Sequence, residues 1–201
     1  LQLQLPPGST VLVPTYHCPT MVAPVLLAHL SVAYFGIQAD GLPNLATINA
    51  TIAAKARAIL VPHYFGLANS LAEVRQWCDA RRIFLIEDCA HCYFGDAGER
   101  RVGDWGDYAT ASVSKFLPVP EGGLLASARH PIQDLGLAGQ GLKAQVKGWI
   151  DVLELATRYR RFPGLNSVMA ALFSLKHSLA SSRKIGTESA SSTTATEASD
   201  M

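Results

Sequence analysis

The sequence predicts an α/β fold: a mainly parallel sheet with helices on both faces. Two observations carry this. Short apolar runs without polar alternation recur along the chain, the pattern of strands buried on both faces. Segments with helical spacing separate them, so the order is strand, helix, strand, helix, strand, helix, strand, with two further strands behind.

The first strand is Val11-Leu12-Val13, ended by Pro14. Pro19 to Leu30 has helical spacing, with Met21, Val25, Leu26 and Leu30 on related faces; Pro19 suits a first turn and Pro24 is the weak point. Val32 to Phe35 is the next strand, and Asp40-Gly41 marks a turn. Leu45 to Ala56 predicts a helix and Ala58 to Val61 a buried strand. Asn69 is the expected N-cap of a helix running to about Arg81, with Glu73 in its first turn. Ile83 to Ile86, Tyr108 to Val113 and Leu124 to Ser127 complete the strands. From Asp134 to Ser182 the pattern is mostly helical, broken at Pro163-Gly164, and basic through Arg158, Arg160, Arg161, Lys176, Arg183 and Lys184. These are read as helices whose basic faces are solvated or cover a neighbouring domain. From Gly186 on, 11 of 16 residues are Ser, Thr or Ala, which leaves nothing to bury and predicts disorder.

Composition removes several function classes. Of 201 residues 49% are hydrophobic and 16% charged, which excludes a globally disordered chain. Seventeen basic against 16 acidic residues leave a net charge of +1, so there is no electrostatic case for nucleic acid or an anionic membrane. The most apolar stretch, Met21 to Ile37, is interrupted by Pro24, His29 and Ser31 and predicts no membrane span. The start lacks the basic region of a signal peptide, so a cytoplasmic location is expected. Four cysteines are too few for a disulfide scaffold, and reduced thiols are expected.

In parallel sheets ligands bind at the carboxyl ends of the strands, so chemistry is sought there. Ile83 to Ile86 runs into Glu87-Asp88-Cys89-Ala90-His91-Cys92. Adjacent acids on a strand point to opposite faces, so only one of Glu87 and Asp88 can face a given site. Asp88 with His91 fits a strand-to-helix turn whose polar groups converge on one ligand. Cys89 and Cys92 form a C-x-x-C, which suggests a redox dithiol, half a zinc site with His17 and Cys18 as the other candidates, or two inert buried thiols. The last reading is preferred, and no metal is expected. The next strand leads to Ser112-Val113-Ser114-Lys115. Its Ser-x-x-Lys lacks the companion motifs of penicillin-binding enzymes, and no G-x-G-x-x-G or P-loop is present. An Asp ending one buried strand and a Lys ending another, 27 residues apart, suit pyridoxal 5'-phosphate. That cofactor needs a Lys for its Schiff base and a carboxylate to keep the pyridine nitrogen protonated.

Together these residues resemble the DegT/StrS family of sugar aminotransferases. The resemblance runs from Val11 to Ser127: Val11 to Pro14, Val32 to Phe35, the run Ala56 to Gly66 with a His-x-Tyr-Gly-like turn at His63 to Gly66, Ile86 to His91, Arg101 to Asp107, then Ser112, Lys115 and Glu121-Gly122-Gly123. It implies the large domain of fold type I pyridoxal phosphate-dependent transferases, truncated at both ends, with the family's N-terminal phosphate-binding turn and C-terminal small domain absent. The expected organisation is a partial cofactor-binding domain over 1–130, a helical segment over 131–185 and a disordered tail over 186–201.

The resemblance also implies roles. Lys115 is the expected Schiff-base lysine and proton carrier, Asp88 the partner of the pyridine nitrogen, and His91 the hydrogen-bond partner of the cofactor's phenolic oxygen. Ser112 is the expected phosphate ligand. It lies three residues before Lys115 where the family has five, so Thr110 and Ser114 stand as alternatives. The ring-stacking residue is sought at His17 or Tyr16, with His17 preferred. Lys115 argues against the family branch in which this Lys is His and dehydration replaces amination. The function implied is transfer of an amino group from an amino acid donor to a keto, nucleotide-linked sugar, by a homodimer in the intact protein. The alternatives are a truncated non-catalytic homologue or a Cys-x-x-C thiol oxidoreductase.

Overall fold

In the computed structural model, residues 2–175 are described, apart from 120, 135, 137, 138, 140 and 163. The tail expected to be disordered therefore lies outside the described residues. The chain divides into two compact units, residues 1–138 and 139–201.

The first unit is built on a seven-stranded sheet. Its strands are β1 (Thr10–Pro14), β2 (Ser31–Ile37), β3 (Pro43–Asn44), β4 (Ala56–Pro62), β5 (Phe84–Asp88), β8 (Tyr108–Ser112) and β9 (Gly123–Ala126), in the order β3-β2-β1-β4-β5-β8-β9. A two-stranded ribbon, β6 (Asp96–Ala97) with β7 (Arg100–Arg101), stands apart. The five central strands are parallel, and β3 and β9 pair antiparallel at the two ends. The crossovers that link β1, β2, β4 and β5 are supplied by α1 (Pro19–Leu27), α2 (Ala50–Lys55) and α3 (Ala72–Arg81), and β5 reaches parallel β8 through the β6–β7 segment without a helix.

The apolar strand runs are explained by helices on both faces. Val11, Val13 and Ala58 face α1, where Met21, Val22 and Val25 pack on them. Leu12, Ile59, Val61 and Leu85 face the other way, against Ile52 of α2 and Val74 and Cys78 of α3. Leu12, Ile59 and Leu85 are fully buried in this second layer.

Helix ends differ from the sequence expectation in instructive ways. The first helix stops at Leu27 rather than Leu30. His29 takes a left-handed conformation (φ 56°), and the His29 and Leu30 amides donate to the Leu26 and Val25 carbonyls. That is a Schellman lock closed without glycine. The third helix ends the same way at Arg82 (φ 55°), where the Arg82 and Ile83 amides donate to the Asp79 and Cys78 carbonyls. Both locks turn the chain directly into the next parallel strand. Asn69 does not cap α3. Leu71 occupies that position, and the Asn69 amide instead donates to the Asp40 carbonyl at 2.9 Å. The stretch expected as one helix from Leu45 to Ala56 is a 3-10 turn, Leu45–Thr47, followed by α2, whose N-cap Asn49 accepts from the Ile52 amide at 2.9 Å. Ala56 already belongs to β4. No helix follows β5: the turn after Asp88 leads to the β6–β7 ribbon, so the expected strand-to-helix turn is a loop.

In the second unit α4 spans Leu142–Arg158, and the backbone is helical again over 166–175. The stretch expected to be mostly helical from Asp134 becomes helical only at Leu142, residues 134, 136, 139 and 141 being non-helical. No described helix is long and apolar enough to cross a membrane.

Leu12 anchors the central strand from within the α2–α3 layer. Leu12→Ala is expected to cost about 2–5 kcal/mol through lost burial and a residual cavity, read as a lower urea midpoint with unchanged slope.

Candidate active site

The order of the sheet reverses at β1, which has β2 on one side and β4 on the other. Crevices at such reversals, beyond the carboxyl ends of the strands, are where doubly wound sheets bind ligands. A cavity of about 340 Å³ lies there. It is lined by Tyr16 and His17 from just after β1, Tyr64 and Phe65 after β4, Asp88 and His91 at the end of β5, and Lys115 after β8.

The register explains this convergence. Pro62, Asp88 and Thr110 are aligned across β4, β5 and β8, so their side chains share one face. Asp88 is half-buried. Its Oδ1 accepts from the Ala90 amide at 2.9 Å, which folds the following turn and brings His91 to the cavity. Lys115 closes the 3-10 turn Val113–Lys115, held by the Val113 amide donating to the Gly122 carbonyl at 3.0 Å. The Lys115 amine makes no ion pair among the described residues. His17 stacks on Tyr34 (centroids 5.1 Å, planes 18° apart), and its Nδ1 donates to the Pro14 carbonyl at 2.8 Å. Thr110, Ser112 and Ser114 do not line the cavity. Ser112 and Ser114 instead approach each other, Oγ to Oγ 3.5 Å.

Among the cavity residues not singled out in the sequence are His63, Tyr64 and Phe65. Tyr64 donates its hydroxyl to the Tyr16 carbonyl. Burial first, then the nearby Tyr16, Asp88 and Cys18, push its phenol up to about 12, so it stays a donor at neutral pH. Phe65 takes a left-handed conformation (φ 56°) at the rim, with its ring 6.3 Å from that of His91. The Tyr-Phe pair inside the His-x-x-Gly run was the available signal.

Behind the cavity, on the opposite face of β5, Glu87 is completely buried. Oε1 accepts from His63 Nε2 at 2.8 Å and the Gly103 amide at 2.7 Å. Oε2 accepts from the Trp105 and Gly106 amides, both at 3.0 Å. Burial alone would raise this carboxyl, but the hydrogen bonds from His63, Gly103 and Gly106 hold it below the ordinary carboxylate range. Gly106 is required here, because a Cβ would sit 2.4 Å from the Tyr108 carbonyl and 3.1 Å from Glu87 Cβ. Ligand atoms of His63, Glu87 and Cys89 lie within 4.8 Å of one another. Both Glu87 oxygens are already saturated, so the trio is satisfied without an ion.

The Cys-x-x-C does not have the setting of a redox pair. Cys89 and Cys92 are buried free thiols, and burial followed by the charge of Glu87 raises both above their ordinary range. Reactive cysteines need the reverse, so the thiol oxidoreductase alternative is set aside.

A second buried carboxylate, Asp107, braces the middle of the sheet. Its Oδ2 accepts from Arg75 Nη1 at 2.8 Å and the Leu85 amide at 2.7 Å, and His130 Nε2 lies 3.2 Å from Oδ1. Burial again opposes ionisation, and Arg75 with the Leu85 amide overrides it, leaving Asp107 below its ordinary value.

Residues 1–148 match the DegT/DnrJ/EryC1/StrS aminotransferase family. The chain belongs to that family. Among its relatives, GDP-perosamine synthase of Vibrio cholerae is 29% identical over 158 residues, 76% of this chain and 42% of the relative. The Escherichia coli O157:H7 enzyme of that name is 27% identical, over 76% of this chain and 43% of its own length. The chain thus spans less than half the length of the curated relatives it matches. Among solved structures, a family aminotransferase from Brucella abortus superposes with a TM-score of 0.54 at 24% identity, covering 60% of this chain and 35% of its own. The E. coli GDP-4-keto-6-deoxy-D-mannose-3-dehydratase with bound hydrated PLP gives 0.52 at 23%, covering 61% and 32%. These likenesses establish the family's fold type for the sheet described above.

Two outcomes follow from the buried groups. Glu87 and Asp107 are both held below their ordinary values, so the stability they add is complete above about pH 4 and is lost as pH falls through their lower folded values. The urea midpoint should therefore be flat from about pH 7 to 5 and fall below about 4, and Asp107→Asn should lower the plateau and flatten that fall. In native buffer a thiol reagent should label exposed Cys18 at least about tenfold faster than Cys78, Cys89 or Cys92, which react only on unfolding.

Proposed function

We propose that this chain carries the large-domain core of a pyridoxal 5'-phosphate-dependent sugar aminotransferase. In the intact protein it would move an amino group from an amino acid donor to the keto group of a nucleotide-linked sugar. The observation that carries the reading is the convergence of an amine, a carboxylate and an imidazole on one small cavity at the sheet's reversal. At about 340 Å³ it lies at the lower end of the usual range for small-ligand sites, roughly 300–1,000 Å³.

The donor set fits the cofactor. The Lys115 amine would hold it covalently, the Asp88 carboxylate would keep a proton on its ring nitrogen, and His91 would hydrogen-bond its phenolic oxygen. For the phosphate we assign Thr110: it stands outside the cavity lining, but five residues before Lys115 and in register beside Asp88, on the same face, next to the cavity's Asp88 wall. A neutral hydroxyl donates there without adding charge. Pinned His17 would form one wall for the ring. When bound, the cofactor supplies an electron sink for the carbanion of amino transfer. Lys115 Nζ would carry the proton to and from substrate carbon, and Tyr64, fixed as a donor, would stay protonated beside Asp88. A Lys rather than a His at position 115 supports amination over dehydration. The reading carries with it small-molecule partners, a homodimer and a cytoplasmic setting, the last supported by four unpaired cysteines.

Adding pyridoxal phosphate to the 201-residue chain is expected to give a visible absorbance band that borohydride fixes to one lysine peptide. Lys115→Ala should abolish the fixation, and Asp88→Asn should weaken cofactor binding by about tenfold or more. A band that survives Lys115→Ala, or fixation at another lysine, overturns the assignment.

A further inference from the structure

The geometry points to Glu87 and His63 as positioning residues: we propose that this buried pair clamps the ends of β4 and β5 so that Asp88 is presented to the cavity. This rests on the reading of Asp88 as the residue facing the ring nitrogen.

Asp88 is the last residue of its strand, and a strand end frays unless something holds it. Two bonds tie it and its neighbour to His63, the residue just after β4. The His63 amide donates to the Asp88 carbonyl at 3.0 Å, and the His63 side chain reaches Glu87, the residue before, at 2.8 Å. The same residue thus grips β5 through its backbone and through its ring. Glu87 in turn collects the Gly103, Trp105 and Gly106 amides, so the loop that leads into β8 closes on the same carboxylate. Because strand side chains alternate, Glu87 does this from the face opposite the cavity. Glu87 therefore shapes the site without touching a ligand, whereas His63 also lines the cavity, so the exchange read without cofactor is what separates positioning from contact. Asp107 offers an internal comparison. It is also buried, paired and bonded to a β5 amide, but at Leu85, three residues before Asp88. Loss of either carboxylate weakens the sheet, and only loss of Glu87 should release Asp88.

The test compares Glu87→Gln with Asp107→Asn in the 201-residue chain. Without cofactor, amide hydrogen exchange is read residue by residue. Glu87→Gln should speed exchange at Ala90, Gly103, Trp105 and Gly106 by about tenfold or more beyond the global change, whereas Asp107→Asn should do so at Leu85 and leave Ala90 protected. With pyridoxal phosphate added, Glu87→Gln should weaken binding about tenfold and shift the pH at which the visible band titrates; Asp107→Asn should leave that pH unchanged. If Glu87→Gln does not fold, His63→Phe removes the other half of the clamp and should give the same pattern. His63→Gln, which keeps an amide donor, should restore Ala90 protection. Equal deprotection of Ala90 by both carboxylate variants, or an Ala90 that stays protected without Glu87, overturns the clamp. Failure of the parent chain to bind pyridoxal phosphate overturns the cofactor reading instead, and the exchange data still decide the clamp.

Discussion

A carboxylate with no exposure at the end of a parallel strand is costly unless every lone pair is met, and Glu87 meets that requirement with four donors. Those donors come from separate parts of the chain: one from the end of β4 and three from the loop before β8. Satisfying one buried charge therefore brings three consecutive strands of the sheet to a common height. The constraint also selects Gly106, where a side chain would collide with both Glu87 and the Tyr108 carbonyl. Asp107 repeats the device one layer back, with Arg75 of α3 as its counter-charge.

The site is the other side of this arrangement. Alternation sends Glu87 inward and Asp88 to the cavity, and the register sets Thr110 beside Asp88. The apolar layers on each face keep the strands parallel and their carboxyl ends together. The polar groups then converge only because loops of different length leave those ends. Buried hydrogen bonding lies beneath the site, and exposed aromatic rings, Tyr16 and Phe65, stand at its rim.

The strands and their parallel order were legible because an apolar run without alternation has to be covered on both faces, and parallel sheets flanked by helices supply that cover. Asp88, His91 and Lys115 were legible as strand-end residues. The hydroxyls were not. Thr110, Ser112 and Ser114 compete within five residues, and their directions depend on a 3-10 turn that spacing does not announce. Asn69 misled because its amide found a carbonyl 29 residues away rather than the adjacent helix. The role of Glu87 was hidden for the same reason: its partners lie 16 to 24 residues distant, and two of them are backbone amides of glycine. Local signals name the elements, whereas long-range hydrogen bonding decides which polar residue does what.

The sheet ends in β9, which has a neighbour on one side only among the described residues. Its sequence is Gly-Leu-Leu-Ala, with Leu124 exposed, and just before it Phe116, Leu117 and Val119 are exposed as well. An open row of amides and carbonyls flanked by apolar side chains is a template for another strand. Concentration thus becomes a variable of this chain's behaviour. Where this edge is uncovered, raising the concentration is expected to favour edge-to-edge pairing. The charge of +1 leaves little repulsion to oppose it.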